Sequence, residues 1–342
     1  MVTTHAGSSR ANVWAQAVEK SPFIEYLDVC LRGSGQVIFM DNPLTGLLNF
    51  VAIFWGAIAA GTPEVAIGAL IATLVSTAMA YSISVDRSKL KMGLYGFNGM
   101  LVGCGIPTFL GATPLMWVIL VIGAMVSTVV MLAIANVMET WKAPAFTFPF
   151  VLTTWLIMLS AYAFPHLTIA GLPHAALAHT TPTPPQDLLD LPAYMRASLV
   201  SVAQVWFINN PVSGVIFLLA LLVESAWAAG LALVGAMIAV GCAMVGGVNL
   251  MAISNGLWGF SAVLTAVAVG CVFMKPCIGT LLYALLATVF TVIVQAALNV
   301  GLGPMGIPTF TFPFVLTSWL FVLAQRNFEP QTGKADSPVG AA

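Results

Sequence analysis

The chain has 342 residues, of which 60% are hydrophobic and only 7% charged. An ordinary soluble domain carries about a quarter charged residues, so composition alone excludes a soluble enzyme. Eleven Lys and Arg against twelve Asp and Glu give a net charge of −1, which leaves no basic footprint for nucleic acid and no acidic tail.

The N-terminal stretch interleaves Arg10, Glu19, Lys20, Glu25, Asp28 and Arg32. It lacks the basic start, apolar core and small-residue cleavage site of a secretory signal, and residues 1–20 read as a cytoplasmic tail. Farther along, no Asp, Glu, Lys or Arg occurs from Met92 to Met138, from Ser225 to Met274, or from Pro276 to Gln325. A crossing helix needs roughly 20 apolar residues, so each run has room for two. Cutting the apolar runs at Pro, Gly and charge predicts ten crossings, over 44–60, 64–85, 93–110, 115–137, 146–163, 211–227, 230–248, 255–272, 279–299 and 308–324.

With the N-terminus in the cytoplasm, Arg10, Lys20, Arg32, Arg87, Lys89, Lys91, Lys142, Lys275, Arg326 and Lys334 all fall on the cytoplasmic side and only Arg196 outside, the bias that sets membrane orientation. Residues 165–188, with His166, His174, His179 and the Pro-rich run Thr181–Pro185, then form an external linker, and 326–342 a second cytoplasmic tail. Ser21 to Asp41 and Leu189 to Asn209 are too polar for lipid-facing crossings. They either lie on the membrane surface or dip into the protein as half-helices, which is allowed at membrane depth where the backbone is buried or lines a polar cavity. Cys30, Cys104, Cys242, Cys271 and Cys277 are scattered with no CxxC spacing, which points to free thiols and to neither a disulfide framework nor a metal site.

An internal repeat organises the chain. QVIFMDNPLTG at Gln36–Gly46 returns as QVWFINNPVSG at Gln204–Gly214, and GLYGFNGMLVG at Gly93–Gly103 as GLWGFSAVLTA at Gly256–Ala266. PAFTFPFVLTTWL at Pro144–Leu156 returns as PTFTFPFVLTSWL at Pro308–Leu320. Five crossings per copy is an odd number, so the copies, 21–164 and 189–325, face opposite ways. Such inverted repeats place a substrate route near the midplane, along interrupted helices. Pro149 and Pro313, inside the duplicated FTFPF, are the expected interruptions, since proline removes a donor and frees a carbonyl four residues earlier. The reading is an all-α integral membrane protein of ten transmembrane helices plus re-entrant half-helices in two inverted repeats.

At these three motifs the sequence resembles the prokaryotic branch of the urea transporter family, over Cys30 to Ala324. The resemblance implies a homotrimer in the cell (inner) membrane, surrounded by lipid, with a pore in each protomer that passes urea without an ion gradient, and with no cofactor. It also implies site residues. Val37 with Phe39, and Val205 with Phe207, resemble the outer and inner ends of the route. Phe97, Phe260, Leu101 and Leu264 match slot-lining positions, and Thr147 and Thr311 a hydroxyl pair at the central constriction. Gln36 and Gln204 match positions that stabilise the half-helices and face rows of backbone carbonyls. Ser261 stands where the first repeat has Asn98.

Urea is planar and uncharged, with four N–H donors and one carbonyl acceptor. Stranding an amide in an apolar setting costs roughly 2–7 kcal/mol, so its passage needs flat apolar walls edged by acceptors, such as the carbonyls that broken helix ends leave unpaired. A slot without charges excludes ions. The competing reading is an ion-coupled transporter of a small amide or polyol, which needs ionisable groups inside the membrane; the candidates are Glu64, Glu139 and Glu224. An intramembrane enzyme is disfavoured because His5, His166, His174 and His179 all lie outside the spans.

Overall fold

The computed structural model describes residues 5–178 and 189–328. His179, the run Thr181–Pro185 and Lys334 lie outside them. Among the described residues all regular structure is helical. The first half contains α1 (His5–Lys20), α2 (Pro22–Gln36), α3 (Pro43–Ala60), α4 (Pro63–Ser82), α5 (Arg87–Lys91), α6 (Phe97–Phe109), α7 (Pro114–Thr140) and α8 (Phe148–Ala161). The second contains α9 (Leu191–Ala203), α10 (Pro211–Leu222), α11 (Ala226–Val245), α12 (Leu250–Ser254), α13 (Phe260–Val267), α14 (Ile278–Leu302) and α15 (Phe312–Ala324). The N-terminal stretch is helical from His5.

Five helices, α3, α4, α7, α11 and α14, are long and apolar enough to cross a membrane, and a sixth candidate is α9 with α10, bent by 72°. The other apolar helices are shorter than the predicted spans because glycine, proline and left-handed phenylalanine residues interrupt the chain at their starts. A wide apolar band remains outside: only 28% of the apolar window of α7 is buried within the protein, as suits a helix solvated by lipid.

The Asn-Pro dipeptides begin α3 and α10. The Asn42 side chain accepts from the Leu44 N–H (2.9 Å), and Asn210 from Val212 and Ser213 (2.9 and 3.1 Å). Pro43 and Pro211 follow at the first helical position, where a missing N–H removes no bond. The amphipathic stretches before them are packed into the bundle. α2 buries Asp28, Val29, Cys30 and Gly33–Gly35, and α9 buries Ala197, Ser198 and Val200–Ala203.

α3 and α10 lie side by side and antiparallel, held by reciprocal hydrogen bonds. Thr45 Oγ1 donates to the Ala220 carbonyl (2.9 Å), while Ser213 Oγ, at the equivalent place in the second half, donates to Ala52 (2.7 Å). Each hydroxyl is fully buried, so each bond replaces water that cannot reach it.

Candidate functional site

Each FTFPF segment leads into a short helix. Thr147 and Thr311 occupy the positions just before α8 and α15 with nearly the same backbone (φ −91°, ψ 12° and φ −87°, ψ 13°), and neither caps its own helix. Their side chains meet instead: Thr147 Oγ1 and Thr311 Oγ1 are 2.6 Å apart and buried. Next to them, the Phe148 and Phe312 rings have centroids 5.6 Å apart. The N-termini of two helices therefore converge on one point, where their dipoles add a positive potential. That field disfavours a cation and favours the carbonyl end of a neutral dipolar solute.

Four phenylalanines flank the hydroxyl pair on each side. One cage holds Phe39, Phe146, Phe273 and Phe314, with centroid separations from 5.1 to 6.4 Å. The other holds Phe207, Phe310, Phe109 and Phe150, at 5.2 to 6.0 Å. Member for member, each cage is the other's counterpart in the opposite half of the sequence. The first segment runs from Phe146 in one cage through Thr147 to Phe150 in the other, and the second makes the reverse journey through Phe310, Thr311 and Phe314. Phe39, Phe146, Phe207 and Phe310 all have left-handed backbone, with φ between 48° and 66°. That conformation costs a non-glycine residue about 1–2 kcal/mol, and such strain gathers at functional positions. Six of these eight phenylalanines went unassigned in the sequence. For Phe146, Phe150, Phe310 and Phe314 the duplication of FTFPF was a signal; for Phe109 and Phe273, which sit in unlike segments, there was none.

On the Phe207 side the cage opens into a chamber of about 600 Å³. Of the sequence-predicted residues, Gln204, Val205, Phe207, Phe260 and Thr311 line it. Gly171 and Pro173 of the connecting segment line it too, so Val205 and Phe207 lie on the linker's side of the molecule and Val37 and Phe39 at the other end. The Phe207 turn follows α9, and the Phe39 turn follows α2 and lies beside Arg32 and Asp41. Leu101 and Leu264 are fully buried in the main core, one helical turn beyond Phe97 and Phe260, and do not line this chamber.

Gln36 and Gln204 behave alike. Gln36 Nε2 donates to the Met92 carbonyl (2.9 Å) and Gln204 Nε2 to the Asn255 carbonyl (2.8 Å), tying the end of α2 to the loop before α6 and the end of α9 to the loop before α13. Asn98 and Ser261 differ. Asn98 Oδ1 accepts from the Phe150 N–H (3.0 Å), satisfying one orphan donor at the start of α8, whereas the buried Ser261 Oγ has no partner among the described residues. Asn98→Ser is therefore expected to destabilise the protein by about 1–2 kcal/mol, the usual effect of uncapping a buried donor. A thermal melt in detergent reads it, and a parent-like melt would assign the cap no weight.

The three carboxylates considered for ion coupling stand at helix ends. Glu64 is in the first turn of α4 and Glu139 in the last turn of α7. Glu224 lies in the turn between α10 and α11, near Asp41 and Arg32, where burial raises its pKa above the ordinary value. None of them lines the chamber.

A helical bundle with a lipid-solvated belt, enclosing paired aromatic cages about a polar contact, is the architecture of a membrane transport protein. The family follows from comparison. Residues 27–326 match the urea transporter family, and the chain belongs to it. It is 30% identical to urea transporter 1 of Ovis aries over 314 residues, covering 89% of this chain and 78% of that one. It is 31% identical to urea transporter 1 of Mus musculus over 319 residues, with the same coverage.

Proposed function

We propose that this protein is a passive urea channel of the cell membrane. Urea enters the chamber, sheds water as it slides edge-on between the phenylalanines of the Phe207 cage, passes the Thr147–Thr311 hydroxyls and leaves through the Phe39 cage. The rings supply flat apolar walls, and the hydroxyls and broken-helix carbonyls supply the acceptors that four N–H groups need. The observation that carries this reading is the exchange of the two cages about one threonine pair, since symmetry about a central constriction suits a solute that moves either way down its own gradient.

The same reciprocity supports two inverted repeats, 21–164 and 189–325, with the short helices completing ten crossings and α2 and α9 as re-entrant half-helices. The basic residues favour cytoplasmic termini and an external linker. The homotrimer and the roles of Val37, Phe97, Leu101 and Leu264 rest on resemblance to the family.

Stopped-flow urea efflux from reconstituted vesicles tests the route, with glycerol as the control solute. Thr147→Val with Thr311→Val removes both partners of one hydrogen bond while keeping shape, a change that leaves no buried group unpaired and is close to neutral for stability. Urea flux is expected to fall roughly tenfold, equivalent to about 1.4 kcal/mol of barrier, with an unchanged melting temperature. Undiminished flux would place the pair outside the route. Accumulation of urea above the external concentration under an imposed proton or sodium gradient would replace the passive reading with a coupled one.

A further inference from the structure

We infer that Gln295 forms a solute-binding subsite, present in one half of the protein only, that takes neutral solutes rich in N–H donors; the inference rests on the proposed urea route and names how its linker-side half holds the solute. Gln295 lies on α14, lines the chamber and is only 2% exposed. Its Nε2 donates to the Leu257 carbonyl at 2.5 Å. A carbonyl only accepts, so this bond fixes which end of the amide is which. The opposite end, Oε1, is then a buried acceptor with no partner among the described residues.

The neighbouring amides are oriented alike. Gln204 Nε2 donates to the Asn255 carbonyl (2.8 Å) and Asn209 Nδ2 to Asn255 Oδ1 (3.1 Å). Of the four carboxamides that line the chamber, Gln204, Asn209 and Gln295 each commit one N–H to a protein oxygen, and the Gln295 oxygen is left as a buried acceptor in need of a donor. Urea offers four donors and one acceptor, the complementary inventory. The first repeat has nothing equivalent: Met131 occupies the place of Gln295, and its sulfur receives the Asn98 Nδ2 contact at 3.5 Å. A buried amide oxygen without a donor is unfavourable, and a solute N–H arriving through the chamber relieves it.

Two measurements on the full chain decide the matter. In equilibrium exchange of labelled urea across reconstituted vesicles, Gln295→Met, which installs the first-repeat residue, is expected to raise the half-saturating urea concentration about fivefold, the loss of one net hydrogen bond. In a structure of the parent protein determined with urea, a urea nitrogen is expected within hydrogen-bond distance of Gln295 Oε1. An unchanged half-saturation in a Q295M protein that still exchanges urea overturns the subsite alone, as does a urea-bound structure in which only water or protein donates to Oε1. A parent protein that exchanges no urea overturns the channel reading and this inference with it. Should Q295M fail to fold, the parent structure decides.

Discussion

A single methyl group added at Gly46 or Gly214 is expected to abolish folded protein. These glycines close the two NPxxG motifs, one turn into α3 and α10. A Cβ at Gly46 would overlap the Leu31 carbonyl of α2, and one at Gly214 the equivalent Leu199 carbonyl of α9. The colliding atoms belong to helix backbones, so no side chain can swing away. α2 would have to separate from α3 along its length, and with it would go the bonds from Ser34 Oγ to the Gly46 carbonyl and from Asn49 Nδ2 to Ser34. Breaking two buried hydrogen bonds and opening a packed helix pair costs about 4 kcal/mol or more, a large share of the 5–15 kcal/mol by which proteins are ordinarily stable. Gly46→Ala and Gly214→Ala should each yield aggregated or unextractable protein, judged by size-exclusion chromatography in detergent. Gly230→Ala is the control: it lies in α11 with nothing within 4 Å of its would-be Cβ, and alanine there gains up to about 1 kcal/mol of helix propensity. Monodisperse Gly46→Ala protein with the parent's melting temperature would show that the two helices approach less closely than described.

Much of this arrangement is legible in the sequence. Asn42-Pro43 and Asn210-Pro211 announce helix starts because their chemistry is local: a side-chain acceptor for orphan N–H groups, then a residue that needs no N–H. The long helices are legible because lipid demands an uninterrupted apolar run. The cages were not. Phe273, in the run VFMKP, and Phe109, in GIPTFLG, share no motif, and they become equivalent only when α13 and α6 deliver them to opposite ends of one axis. The starts of α8 and α15 were also hidden, because hydropathy reports where a chain can be apolar and not where a left-handed phenylalanine delays a helix. Gln295 and Asn299 had a faint signal, two amides one turn apart in the otherwise apolar sequence of α14, whose meaning depends on the chamber they face.

Trp155→Phe together with Trp319→Phe is expected to slow urea flux by at least about tenfold while the protein still assembles. Trp155 Nε1 donates to the Pro308 carbonyl (2.8 Å) and Trp319 Nε1 to the Pro144 carbonyl (2.9 Å), so each half pins the start of the other half's FTFPF segment. The indoles also pack on the central rings, Trp155 against Phe312 at 5.2 Å and Trp319 against Phe148 at 5.3 Å. Phenylalanine keeps most of that packing and removes the N–H. Two residues past each pinned carbonyl stands Phe146 or Phe310 in its left-handed conformation, so loss of the pin lets the backbone relax by about 1–2 kcal/mol and swings a cage ring across the route. A barrier raised by that amount slows passage about tenfold. Because both pins join the same two segments, their effects should couple: each single variant loses about 1 kcal/mol of stability, and the double variant departs from the sum by at least about 0.5 kcal/mol. Thermal melts of the parent, both singles and the double complete the cycle, alongside stopped-flow flux. Strictly additive stabilities with parent-like urea flux would reduce the two tryptophans to independent packing residues and deny the cages their mutual support.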